Sequence, residues 1–389
     1  MRVLNIIRSL DPRFGGPAES LRQMCQALQR MGSPQQVLTL DAPQAPWLAG
    51  FPSPVHAVGP SLVGYGYTRE LFAWLQAQAH QFDAVIVHGL WQHHGLATWQ
   101  ALRGGPVPYY VYPHGMLDPW FKRTYPIKHL KKLLYWRTVE SRVLHDARGV
   151  LFTTAEEARL AAHSFSPYRV QGTTVGCGLA LDPVAQQATA EDFLALHPQL
   201  RGHRLLLFLA RLHWKKGLDL LVDALGRVAA SHPRLHLVVA GPDESGLRPA
   251  LEQQARRLGV QDRITWTGML QGRAKWGALR AAEAFVLPSR QENFGIAVAE
   301  ALAAGTPVLI SNQVNICRDV ADGGAGLVGP DDVPGTTDLL NRWLAMSEAE
   351  RARMRARATS VYEKHFHVDA AAKNLIETLK AQGLAESRS

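Results

Sequence analysis

Residues 289–311 read SRQENFGIAVAEALAAGTPVLIS. A polar loop opens the stretch, an alanine-rich run follows from about Gly295 to Ala304, and Gly305 and Pro307 end it. Glycine just past a helix with proline beyond it is the usual stop signal. With the strand-like Ala284–Pro288 before it and Pro307–Ile310 after it, the stretch reads as strand, loop, helix, strand. Glu300 is the only charge in the helix. A buried carboxylate without donors is strongly unfavourable. Its donors are either a neighbouring Lys, Arg or backbone amide, or the vicinal hydroxyls of a ligand, as when an acid binds ribose in a dinucleotide fold. Spacing alone favours the first. Glu292 lies in the loop at the strand's carboxyl end, and the N–H groups of Asn293, Phe294 and Gly295 fall at the helix start, where donors lack intrahelical partners. Those amides suit a phosphate or a sugar hydroxyl.

The same alternation extends outward. Arg204–Ala210, Leu235–Ala240, Ile264–Thr267 and Ala325–Val328 read as further strands with helices between. In the first half Arg2–Arg8, Gln36–Leu40, Ala84–His88, Tyr109–Pro113, Val150–Thr153 and Gln171–Val175 do likewise, and Pro17–Met31 reads as a helix. A breaker-rich segment, roughly Gly176–Gly202, separates the two blocks. Strand–helix alternation of this kind gives parallel sheets covered on both faces. The expected fold class is α/β, with two Rossmann-like doubly wound domains facing a central cleft. The expected domains are 1–180 and 203–367, joined by a linker at 181–202, with a helix at about 368–382 packing back on the first. A chain of 389 residues exceeds the size at which single cores stop growing, about 250–300 residues. Ligands are expected at the strands' carboxyl ends, in the cleft.

The composition, 47% hydrophobic and 19% charged, is that of a soluble globular protein. No apolar run approaches the ~20 residues needed to span a bilayer, and MRVLNIIRSLDPRFGG reads as a first strand rather than a secretory signal. Cys25, Cys177 and Cys317 show neither disulfide nor metal-ligand spacing, which fits a reducing cytoplasm. The net charge is +9, and residues 119–142 hold seven Lys and Arg against Glu140, a net +6 of it. Such a balance points to anionic partners. Nucleic acid is not the expected one, because no interleaved aromatic platform or known module is present. In the basic segment 121–142, Ile127, Leu130 and Leu134 share one helical face and Lys128, Lys131 and Lys132 another. Two readings stand side by side. The segment lies on an anionic membrane surface, or its apolar side packs in the domain core and its basic side is solvated.

In RLLLFLARLHWKKG, residues 204–217, Arg211 follows a buried strand, and Lys215 and Lys216 precede Gly217 and the next helix. Cations at a strand's carboxyl end beside a helix N-terminus make an anion site, although a solvated basic turn has the same look. His88, His93 and His94 cluster in HGLWQHHG, with His88 at a strand end. No nearby Cys or acid completes a ligand set, so an acceptor-side or structural role is expected, and no metal. The chain has no Asp-x-Asp motif for a nucleotide-bound metal.

The run E-N-F-G-x4-E-A-x-A-x-G-x-P-V, Glu292 to Val308, resembles the E-x7-E signature of the glycosyltransferases of group 1, family 4, which are retaining enzymes of the GT-B fold that use nucleotide sugars. Other matches fall in order. Gly15-Gly16-Pro17 looks like the family's glycine loop, His114-Gly115 like its active-site histidine, Arg211 and Lys216 in ARLxxxKG like its diphosphate-binding pair, and Thr267-Gly268-x-Leu270 like the loop that holds the base. The resemblance covers nearly the whole chain. HGMLDPWFKR…KKLLYWRTVE is similar to members that build exopolysaccharide or O-antigen. Ala210 stands where the family has Gly, and VGCGLALDP replaces its Asn-Gly-Val; neither change removes a charge.

The resemblance implies that the first domain binds the acceptor and the second the nucleotide sugar. It implies that Glu292 binds hydroxyls of the donor sugar, Glu300 the ribose, and Arg211 with Lys216 the diphosphate. The amides of Asn293, Phe294, Gly295 and Gly16 assist, Gly15 and Leu270 belong to the donor site, and His114 lies beside the sugar. Asp118 and His88 are acceptor-side candidates, and Asp118 is also the alternative to Glu292 as a nucleophile. The expected chemistry is hexosyl transfer from a UDP- or GDP-sugar to a glycan or lipid-linked acceptor, independent of metal and cofactor, by a cytoplasmic or peripheral membrane enzyme on the inner face of the plasma membrane. A sugar-nucleotide epimerase of the same architecture and a non-catalytic nucleotide-sugar binder are the alternatives.

Overall fold

The structure, a computed structural model, describes residues 1–14, 16–62 and 64–384. It divides into two compact units, Met1–Gly178 with the residues from Val368 onward, and Leu179–His367.

Among the described residues the first unit holds seven strands: β1 (Val3–Ile7), β2 (Gln35–Thr39), β3 (Val55–Ala57), β4 (Ala84–His88), β5 (Tyr109–Tyr112), β6 (Gly149–Phe152) and β7 (Gly172–Thr174). All pair in parallel, in the order β3-β2-β1-β4-β5-β6-β7. β1 (VLNII) and β4 (AVIVH) are buried along their whole length, which is why they read as mostly apolar runs rather than as alternating patterns. Register pairs Ile7 with His88, so the ends of β1 and β4 open side by side.

The second unit holds β8 (Arg204–Leu209), β9 (Leu235–Ala240), β10 (Ile264–Gly268), β11 (Ala284–Leu287), β12 (Val308–Ser311) and β13 (Gly326–Gly329). These are also parallel, ordered β10-β9-β8-β11-β12-β13. In both sheets the order reverses beside the first strand, between β1 and β4 and between β8 and β11. Those are the switch points where doubly wound folds open a crevice for ligands. The α/β class with two Rossmann-like sheets is therefore present.

Three features differ from the sequence reading. β3 escaped it, being three half-buried residues between prolines at the sheet edge. Residues 181–202, read as a linker, fold into the second unit, where the helices Pro183–Gln187 and Glu191–Leu194 pack on the helix Gly272–Ala281. Their breakers punctuate short elements instead of freeing the chain. The third concerns the basic segment. In the helix Pro126–Tyr135, Ile127, Leu130 and Leu134 are 77%, 67% and 69% exposed. The inward side carries His129, Lys132 and Leu133, because the π-turn Trp136–Glu140 that follows anchors the segment through buried Trp136 and Glu140. The apolar side thus does not pack into the core. The helix Val368–Leu384 returns to the first unit, where Arg30 meets Asp369 at 2.6 Å and Gln382 donates to Thr173 at 3.2 Å.

Candidate functional site

At the switch point of the second sheet, the turn after β8 and the loop after β11 lie side by side. Gly217 makes the approach possible. It has φ +68°, and a Cβ there would sit 2.1 Å from the Pro288 carbonyl oxygen. The neighbouring contacts follow from this closeness. Arg290 N–H donates to the Lys215 carbonyl at 2.7 Å, and the Arg290 guanidinium clamps Asp219 through two bonds of 2.8 and 2.6 Å. Lys215 Nζ donates to Gln291 Oε1 at 3.0 Å. Lys216 Nζ and Glu292 Oε2 form an ion pair in which both side chains keep about a fifth of their surface exposed (19% and 18%). The loop is tied from its other side as well, since Glu292 N–H donates to Gln313 O (3.0 Å) and Asn315 N–H to Glu292 O (3.1 Å).

Gly295, with φ +81°, caps the helix Ile296–Ala303 from the left-handed region. Among the described residues no protein acceptor takes the N–H of Phe294, Gly295, Ile296 or Ala297. Buried Phe294 fixes the turn by an edge-on contact with Phe366 at 5.7 Å. Asn293 accepts from Asn315 at 3.3 Å. Glu300 finds the first kind of partner foreseen for it: Lys275 Nζ donates to its Oε1 at 2.8 Å, and the carboxylate side chain remains 15% exposed. Arg211 is more exposed, meeting Glu244 at 3.3 Å in a pair where both side chains are 59% exposed. Such a pair contributes little and is easily exchanged. Leu270 is half-buried, after β10.

The first unit has its own constellation. A cavity of about 130 Å³ opens at its switch point, lined by Arg8, Ser9, Pro17, His88, His114 and Met116 among others. Gly16 starts the helix Gly16–Arg30 there; Gly15 lies outside the described residues. His114 sits at φ +50°, stacked on Tyr112 at 4.5 Å.

Its proton position follows from a chain of bonds. Gln35 Nε2 donates to the Ser33 carbonyl (3.0 Å), so Gln35 Oε1 accepts from Asn5 Nδ2 (3.0 Å). Asn5 Oδ1 must then accept, and His88 Nε2 donates to it at 3.1 Å. Neutral His88 has only Nδ1 left as an acceptor, and His114 Nε2 donates to it at 2.9 Å. His114 Nδ1 keeps its lone pair. Burial holds His88 well below the usual imidazole range and His114 at about 4, so both rings are neutral at pH 7. Because the folded values are depressed, the stability these rings lend is present above pH ~6.5 and is lost as pH falls toward 4. In a ¹⁵N-histidine titration, His114 is expected to show a protonated Nε2 and not to titrate above about pH 5. A His114 midpoint near 6.5 would contradict this chain of bonds.

His94 is wholly buried, with Nε2 bonded to the His88 carbonyl at 2.9 Å, a structural role. Asp118 accepts from Trp120 N–H at 2.8 Å and lines a second cavity. Among the described residues no group of three or more His, Cys, Asp or Glu comes together to hold a metal. Sequence reasoning missed Lys275, Asn5 and Gln35. Only the general requirement that Glu300 have a donor pointed toward Lys275.

The family model described as "Glycosyl transferases group 1" matches residues 197–361, and that described as "Glycosyl transferase 4-like domain" matches 15–178. The chain is 32% identical over 196 residues to the D-inositol 3-phosphate glycosyltransferase of Nocardia farcinica, covering 49% of this chain and 43% of that protein. Against the enzyme of the same name from Segniliparus rotundus it is 28% identical over 247 residues, 61% of this chain and 53% of the relative. The matched region thus spans about half the length of these relatives. The D-rhamnosyltransferase WbpZ of Pseudomonas aeruginosa aligns over 380 residues at 27% identity, 94% of this chain and 92% of its own. Among solved structures, Anabaena Alr3699/HepE in complex with UDP and glucose superposes with a TM-score of 0.76 at 18% identity, covering 98% of this chain and 100% of that one. Sucrose-phosphate synthase from Thermosynechococcus elongatus gives 0.76 at 20% identity, covering 99% of each chain. Both neighbours have the GT-B fold, and their likeness shows the fold alone. With one family model on each unit, the chain belongs to the group 1 glycosyl transferases.

Proposed function

We propose that the protein moves a hexosyl unit from a UDP- or GDP-sugar to a glycan or lipid-linked acceptor, with retention at the anomeric carbon, in exopolysaccharide or lipopolysaccharide synthesis. The observation that carries this reading is the Lys216–Glu292 pair at the switch point of the second sheet, beside the open amides of Phe294 to Ala297. The HepE complex with UDP and glucose supports the donor class.

Donor binding is an exchange of partners. Lys216 leaves Glu292 for the diphosphate, and Glu292 turns to the sugar hydroxyls. Lys275 holds one oxygen of Glu300 and leaves the other for the ribose, so no largely buried charge is left unpaired at either stage. Arg211 swings from Glu244 to the phosphates, the Leu270 loop meets the base, and the amides of Asn293, Phe294 and Gly295 complete the cradle. The bond from the anomeric carbon to the leaving phosphate oxygen breaks as the acceptor oxygen bonds on the same face. The acceptor's proton passes to the departing phosphate. Negative charge grows on the diphosphate, where fixed cations act most strongly. Lys216 and Arg211 supply that charge without a metal. Neutral His114 serves the transfer as a hydrogen-bonding group through Nδ1, not as a cation.

The reading includes peripheral attachment to the inner face of the plasma membrane. No helix among the described residues is long and apolar enough to cross a bilayer. The outward stripe of Ile127, Leu130 and Leu134 instead suits a helix lying in the interface, flanked by Arg123, Lys131 and Arg137. Tyr65, bonded to Tyr135 at 2.7 Å, brings exposed Leu62 and Tyr67 close to the same surface.

A panel of UDP-, GDP- and ADP-sugars scored for binding and hydrolysis tests the donor class. At least one is expected to bind in the micromolar-to-millimolar range usual for enzymes. If none binds, the reading fails. If incubation with donor alone yields an epimerised nucleotide sugar, the epimerase reading takes its place.

A further inference from the structure

A second cavity lies in the first unit, behind the helix Pro126–Tyr135. It encloses about 50 Å³ and is lined by Asp118, Lys122, Lys128, His129, Lys132 and, on one wall, Met116. One water needs roughly 10–15 Å³ by the same kind of measure, so the space admits a group of several heavy atoms. Met116 also lines the cavity that contains His114. The two spaces therefore share Met116 as a lining side chain.

Three lysines face one lining carboxylate, Asp118, in this cavity. Among the described residues no carboxylate forms an ion pair with Lys122, Lys128 or Lys132. Asp118 is engaged by the Trp120 amide at 2.8 Å. The cations are positioned by rings instead. Lys128 Nζ stands 5.0 Å from the Tyr125 ring centre, and Lys132 Nζ 4.6 Å from Trp91 and 5.5 Å from Phe121. His129 stacks on Phe165 at 4.6 Å. Rings fix a cation at a cost of desolvation while leaving its charge available to an anion. Burial lowers the pKa of the Lys132 ammonium, which Glu140 partly offsets; a bound anion would add to the offset. The same helix turns Ile127, Leu130 and Leu134 outward.

We propose that this cavity binds the phosphate or diphosphate head of a lipid-linked acceptor, whose chain runs along the apolar stripe. The proposal rests on the acceptor class named above and gives it a site. It also explains the shared wall, because a sugar attached to that phosphate would sit next to the His114 cavity.

The test uses the full chain in a Lys216→Ala background, which weakens phosphate binding on the second unit, titrated calorimetrically with farnesyl diphosphate, farnesol and inorganic pyrophosphate. Farnesyl diphosphate is expected to bind best, with at least about tenfold loss in Lys128→Ala/Lys132→Met, since each removes a charge-assisted bond. Methionine keeps the Lys132 stem packed, and an unchanged melting temperature confirms the fold. Farnesol binding is expected to be weak and insensitive to the change. Equal farnesyl diphosphate affinity with and without the two lysines would overturn the site. Pyrophosphate binding as tightly as farnesyl diphosphate would overturn the lipid assignment. UDP binding, measured with Lys216 intact, reports on the donor reading separately, so failure of one is not mistaken for failure of the other.

Discussion

Lys216→Ala is expected to lower turnover by about 10²–10³-fold, the loss seen when one preorganised stabiliser of transition-state charge is removed. The fold should lose about 1–3 kcal/mol, between the cost of breaking an exposed pair and that of breaking a fully buried one, and the protein should stay folded. The contrast comes from where the charge acts. In the free protein Lys216 meets Glu292 with both side chains still reached by solvent, so its removal leaves a carboxylate that water can hydrate. In the reaction it faces a diphosphate whose charge rises as the sugar departs, and no water compensates inside a loaded site. The effect should therefore fall on kcat more than on KM. Lys216→Met separates charge from packing, since it keeps the stem, and should be as impaired as alanine. A folded Lys216→Ala protein with unchanged turnover would remove Lys216 from the chemistry, and with it the reading of the whole turn.

How much of this was legible in the sequence depends on what decided each contact. Ala84–His88 and Leu235–Ala240 are strands with the bounds their composition suggests, because strands covered on both faces are long apolar runs. Val55–Ala57 has no such cover and carries no such signal. Lys216 and Glu292 were each readable as residues at strand ends. Their meeting needed the sheet order, which puts β11 next to β8 across a large gap in sequence. Lys275 was not readable as the partner of Glu300, since helix against helix packing in the folded unit decides that pair. The chain from Gln35 through Asn5 and His88 to His114 was invisible for the same reason. It threads β2, β1 and β4 to the loop after β5, and only strand register brings its members within bonding distance.

Periodicity has a further limit, shown by the helix Pro126–Tyr135. It groups Ile127, Leu130 and Leu134 on one face but does not say which way that face turns. The π-turn at Trp136–Glu140 decides it by seating Trp136 and Glu140 in the core. That choice leads to the other large effect. Replacing Ile127, Leu130 and Leu134 together by serine is expected to weaken binding to anionic phospholipid vesicles by about a thousandfold or more, since each buried aliphatic side chain contributes ~1.5–3 kcal/mol. Stability should hardly change, because the three side chains are already mostly exposed in the folded protein. The flanking Lys131 and Arg137 act differently, adding about 1 kcal/mol each near an anionic surface and losing it in salt. Vesicle sedimentation at low and high ionic strength separates the two parts. The wild-type protein should bind anionic vesicles more tightly than neutral ones, and high salt should remove that difference while leaving the aliphatic share. If the serine variant still sediments with anionic vesicles, or if neutral vesicles capture the wild type equally well, the stripe is not a membrane contact. The exposed aliphatic row would then have to be covered by protein, because a row of that size in water promotes association.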